Sequence, residues 1–127
     1  MNSMGSTIEG RQLLVNGKPF YVKGAEIHYF RLPRKSWDKH LKQAKLSGIN
    51  TISACMPWYF HEPEEGQFDF SGESKAERDL SGFISLVKEN GLKLVAHPGP
   101  FLNCEFRTGG IPEWLFRKYP ETIIATG

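Results

Sequence analysis

Hydrophobic and polar positions alternate along the chain in a way that switches between two periods. Leu13-Leu14-Val15 and Pro19-Phe20-Tyr21-Val22 flank Asn16-Gly17. Asn-Gly between apolar runs is a strong hairpin signal, because both residues tolerate positive φ. Gly24 to Tyr29 then reads as a first strand. Pro33 sits near a helix start, Trp37, Leu41 and Ala44 recur on one helical face, and Gly48 marks the stop. Ile49 to Met56 reads as a second strand. Ser74 and Glu77 have capping-box spacing ahead of Leu80, Phe83, Ile84 and Val87, and Gly91 ends that helix. Leu92 to His97 reads as a third strand, followed by a Pro- and Gly-rich loop and a short helix from Pro112 to Lys118. Hairpin, β, α, β, α, β, loop, α is an α/β pattern with parallel strands and right-handed crossovers. An open doubly wound sheet and the start of a (β/α)8 barrel both fit it.

Composition narrows the partners. The 127 residues are 39% hydrophobic, 24% charged and 13% aromatic, enough to bury a core in one domain. A net charge of +2, with cations and acids interspersed, points to no nucleic-acid partner. No apolar run approaches the ~20 residues that span a bilayer. Residues 1–12 read as a flexible lead or tag, and residues 13–127 as the folded part. Ile8-Glu9-Gly10-Arg11 reads either as a protease-cleavage scar or as natural sequence. The start lacks the basic and apolar regions of a secretion signal, which favours a cytoplasmic protein. Cys55 and Cys104 fit no metal-binding spacing, and free thiols are expected. Neither a metal nor a cofactor is called for: no Gly-rich phosphate loop follows a strand.

Ligands of parallel α/β proteins sit at the carboxyl ends of the strands. There the sequence gathers Glu26, His28 and Tyr29 after the first strand. Cys55, Trp58, His61 and Glu62 follow the second. His97, Phe101, Asn103, Cys104 and Glu105 follow the third. Carboxylate and amide groups beside aromatic rings suit sugars, which offer hydroxyls and apolar C–H faces. Each residue also has a purely structural reading. Trp58 and Phe101 beside prolines fit a core, and His28 and His97 fit hydrogen-bonded strand ends. Glu26 fits a satisfied interior acid, and Glu62 fits a residue paired within its own turn.

These segments resemble glycoside hydrolase family 35, the β-galactosidases. Residues 24–33 are similar to its GEIHYFRIP stretch and residues 57–63 to its PWNFHEP. Gly66-Gln67-Phe68-Asp69-Phe70 follows as in the family. Pro98-Gly99-Pro100-Phe101, Glu105 and the run from Gly109 to Leu115 are similar to RPGPY…AEW…GGLPAWL. The resemblance implies a retaining exo-β-galactosidase whose catalytic domain is a (β/α)8 barrel. This chain would hold the N-terminal portion of that barrel, about three β/α units preceded by a short β-hairpin. Retaining enzymes use two carboxylates about 5–5.5 Å apart. In the family these come from strands four and seven, and no residue here matches either. What carries over is part of the sugar subsite: Glu105 as the loop glutamate that binds galactose hydroxyls, Asn103 and Cys104 as its neighbours, and Trp58. Cys55 stands where members place a substrate-contacting tyrosine. Phe106, Arg107 and His97 depart from the usual Trp, acid and Arg, which leaves room for a neighbouring sugar specificity. A β-galactoside or related carbohydrate is the expected partner, with self-association through open barrel edges. The alternatives are a non-catalytic carbohydrate-binding or structural remnant and an unrelated doubly wound protein.

Overall fold

The structure, a computed structural model, describes residues 5–122. Of the N-terminal lead, residues 1–4 lie outside the described residues, as do residues 123–127 at the other end. Two small sheets organise the rest.

The first is an antiparallel meander of β1 (Ser6–Glu9), β2 (Gln12–Val15) and β3 (Lys18–Pro19). Asn16 and Gly17 have φ of 53° and 73°, the left-handed pair that the hairpin signal requires. They set the register Val15↔Lys18 and Leu14↔Pro19. The return strand is shorter than the apolar run predicts, because the backbone of residues 21–23 turns to the Asn50 side chain. Asn50 Nδ2 donates to the Tyr21 carbonyl at 2.7 Å, and the Lys23 N–H donates to Asn50 Oδ1 at 2.9 Å. The lead expected to be flexible is in fact paired from Ser6 onward, with Ser6↔Val15 through Glu9↔Gln12. Gly10, at φ 61°, makes the turn that allows it.

The second sheet is parallel, in the order β4 (Gly24–Glu26), β5 (Thr51–Cys55), β6 (Lys93–His97). β5 is the central strand, covered by neighbours on both edges, so Thr51, Ile52, Ala54 and Cys55 are buried and Ser53 half-buried. α1 (Trp37–Leu46) and α3 (Leu80–Glu89) are the crossovers, with a one-turn helix, α2 (Trp58–His61), between them. Ile52 and Ala54, alternate residues of β5, join Tyr29, Trp37, Leu41, Phe83 and Val87 in one buried cluster.

Both glycine stops act as the sequence predicts. At the end of α1, Gly48 takes φ 89° while its N–H and that of Ile49 return to the carbonyls of Lys45 and Ala44. Gly91 and Leu92 repeat this after α3 with Lys88 and Val87. The capping box is corrected. Asp79, not Ser74, caps α3, its carboxylate accepting the Gly82 N–H at 2.9 Å. Ser74 is unavailable because its hydroxyl and N–H both donate to Asp69. α4 (Glu113–Lys118) fills the predicted last helix. No helix among the described residues is long and apolar enough to cross a membrane.

Candidate functional site at the carboxyl end of the parallel sheet

Glu26 and Cys55 are the last residues of β4 and β5, and the loop after β6 folds back over them. The Leu102 N–H donates to the Gly109 carbonyl at 2.7 Å and closes that loop. A Cβ on Gly109 would lie 2.2 Å from the Phe101 ring, and its φ of 62° is one that glycine adopts freely, so both the space and the backbone favour glycine here. Cys104 is thereby brought to Cys55. The two are joined as a disulfide, with Cα atoms 7.0 Å apart, which corrects the expectation of free thiols. The sequence carries no signal for the pairing. Its 49-residue separation closes only through the parallel register, in which Cys55 stands opposite His97. Cys55 Sγ also lies 3.6 Å from Glu26 Oε1.

Glu105 follows directly. It is exposed and adopts φ 57°, so its backbone turns away while its carbonyl and that of Cys104 accept from Arg31 Nη2 at 3.4 and 3.5 Å. The Arg31 guanidinium lies over the rings of Phe30 and Phe106 at 5.5 and 5.4 Å. Asn103 is exposed on the same loop. Cys55, Asn103, Cys104 and Glu105 are therefore gathered at one end of the sheet.

Trp58 heads α2, and its side chain is held. The indole N–H donates to the Glu62 carboxylate, and the ring meets Trp114 edge-on at 5.9 Å. Glu62, 4% exposed, also accepts the Gly66 N–H at 2.8 Å, and its carbonyl accepts from Trp114 Nε1 at 3.1 Å. It is the turn-paired acid that its sequence position allows. Trp58 still borders a groove with Pro57, Phe68, Phe70 and Pro98. Of the histidines, His97 Nε2 is 3.0 Å from Ser53 Oγ, while His28 Nε2 is 3.8 Å from Glu26 Oε1.

Sequence reasoning missed a buried relay beneath the site. Tyr29 Oη is 2.7 Å from His61 Nε2, and His61 Nδ1 is 2.7 Å from the Asp69 carbonyl. Burial pushes the Tyr29 hydroxyl up and His61 down from their ordinary values. Tyr29 and His61 both lie in strand-end segments singled out in the sequence, but nothing there pairs them.

A parallel βαβαβ unit with polar and aromatic groups at the carboxyl ends of its strands has the layout of α/β enzymes whose sites are built from βα loops. The profile of glycosyl hydrolases family 35 matches residues 12–125, and the chain belongs to that family. It is 40% identical over 115 residues to an exo-β-D-glucosaminidase of Pyrococcus horikoshii, covering 91% of this chain and 15% of that protein. It is 43% identical over 107 residues to a β-galactosidase of Mus musculus, covering 84% of this chain and 16% of that protein. The chain thus spans only about a sixth of the length of these curated relatives. In fold, it is similar to the crystal structure of β-galactosidase from the psychrophilic Marinomonas ef1. That match has a TM-score of 0.62 at 17% identity and covers 76% of this chain and 13% of that one.

Proposed function

We propose that β4, β5 and β6 are the first three strands of a (β/α)8 barrel in a retaining exo-glycosidase acting on terminal β-galactosides or a closely related β-linked sugar. In this reading Glu105, Asn103, Cys104 and Cys55 form one wall of the sugar subsite, bordered by Trp58. The catalytic acid/base and nucleophile belong to segments other than these. The observation that carries the reading is the folding of the Asn103–Glu105 loop onto the carboxyl end of β5, where barrel enzymes bind substrate. Family membership supports the reaction class. The names of two relatives, a glucosaminidase and a β-galactosidase, frame the choice of sugar.

A carboxylate accepting sugar hydroxyls makes charge-assisted hydrogen bonds worth roughly 1.5–3 kcal/mol each. Such bonds strengthen as the sugar ring distorts, so their loss affects both binding and turnover. Glu105→Gln in the full-length protein is expected to raise KM and lower kcat on an aryl β-galactoside or aryl β-glucosaminide. Unchanged kinetics with a lowered melting temperature would reduce Glu105 to a loop brace and overturn the subsite.

A further inference from the structure

The cluster at the end of the sheet holds a chemistry that sugar binding does not use. Glu26, Cys55 and Cys104 each present a donor atom, and the three lie within 4.8 Å of one another. They come from three different segments: the end of β4, the end of β5 and the loop after β6. We propose that, with the disulfide opened by a thiol or phosphine reductant, Glu26, Cys55 and Cys104 form a three-ligand site for a thiophilic divalent cation such as Zn2+. The inference does not depend on the sugar-binding reading.

Geometry favours it. Zinc bonds thiolate sulfur at about 2.3 Å and carboxylate oxygen at about 2.0–2.2 Å, so a tetrahedral ion holds its S and O ligands about 3.5 Å apart. Glu26 Oε1 already stands 3.6 Å from Cys55 Sγ. Two thiolates on one such ion sit about 3.8 Å apart. The 7.0 Å between the Cα atoms lies just beyond the roughly 4.4–6.8 Å that disulfides usually bridge, and an ion between the sulfurs fills that extra span. Soft thiolates select zinc over magnesium or calcium, and three protein ligands leave the fourth position open. His28 stands near Glu26, with Nε2 3.8 Å from Oε1. The bonds balance. A phosphine takes the disulfide's oxidising equivalents with one water, giving phosphine oxide and two thiols. The thiols then release two protons as the metal binds.

The test uses the full chain, reduced with a phosphine under argon and titrated with Co2+. One equivalent is expected to produce a near-ultraviolet thiolate-to-cobalt band and the visible bands of a tetrahedral ion, both bleached by Zn2+. Cys55→Ser and Cys104→Ser should each abolish tight binding, and Glu26→Gln should weaken it at least tenfold. Because variants can fail to fold, a second arm uses the wild type alone. Zn2+ should slow alkylation of both cysteines by iodoacetamide at least tenfold in buffer and not in concentrated urea. A reduced, folded chain without the thiolate band would overturn the proposal. So would binding that survives either serine variant, unaltered affinity in Glu26→Gln, or protection that persists in urea.

Discussion

Tyr29, His61 and Asp69 form a relay whose direction chemistry fixes. A carbonyl only accepts, so His61 Nδ1 carries the proton toward Asp69, and a neutral ring leaves Nε2 to accept from the Tyr29 hydroxyl. Burial, which lowers the His61 pKa, favours that neutral ring. A histidine whose folded pKa lies below its unfolded value of about 6.5 contributes stability above that pH and loses it as pH falls through the folded value. Asp69 adds a second, lower step. Burial works against its charge, but the Ser74 hydroxyl and the N–H groups of Ser74, Gly72 and Ser71 outweigh it and hold the carboxyl well below the usual range. Its contribution is present above about pH 3.9 and fades below. The urea midpoint is therefore expected to fall in two stages on acidification from pH 7, and a flat midpoint between pH 7 and 5 would contradict the relay. His61→Phe should remove the first stage and destabilise by about 1–3 kcal/mol at neutral pH, since it strands the Tyr29 hydroxyl. Tyr29 and His61 stood out in the sequence as strand-end residues, but their contact did not, because one follows β4 and the other ends α2, and only the fold brings them together.

Among the elements, the legible ones were those with local causes. Asn16-Gly17 makes its own turn, and Gly48 and Gly91 end their helices wherever the chain runs. The central strand was legible in the partly apolar, β-branched segment Ile49 to Met56, of which Thr51–Cys55 forms the ladder. The start of α3 was not. Ser74 and Glu77 have the right spacing, yet Asp69 captures Ser74, and the cap passes to Asp79. Asp79 also pairs with Arg34 at 2.9 Å, tying the cap to the segment before α1. Asp79→Ala should cost about 1 kcal/mol for the lost cap, with a smaller share for the partly buried ion pair. Ser74→Ala should loosen the Asp69 turn but leave α3 intact. Equal loss of helical signal in the two variants, by circular dichroism at matched denaturant, would restore the capping box.

At the scale of the whole molecule, the parallel sheet ends in β4 and β6 with no further partner among the described residues. Such edges recruit other chains, and Val95 on β6 is 46% exposed. The isolated chain is expected to self-associate in sedimentation as its concentration rises, and a sharply melting monomer would speak against a barrel portion. The disulfide closes a loop of 49 residues, and chain-entropy reasoning gives it up to about 4 kcal/mol. Reductant should therefore lower the urea midpoint of the wild type and leave a Cys55→Ser, Cys104→Ser double variant unchanged. In the proposed reading the cluster binds sugar while other segments supply the catalytic pair. The most direct measurement is turnover of an aryl β-galactoside by full-length Glu105→Gln with added azide. If Glu105 is a binding residue, activity stays low and no glycosyl azide forms. A glycosyl azide of inverted configuration with restored turnover would make Glu105 the nucleophile and contradict the account.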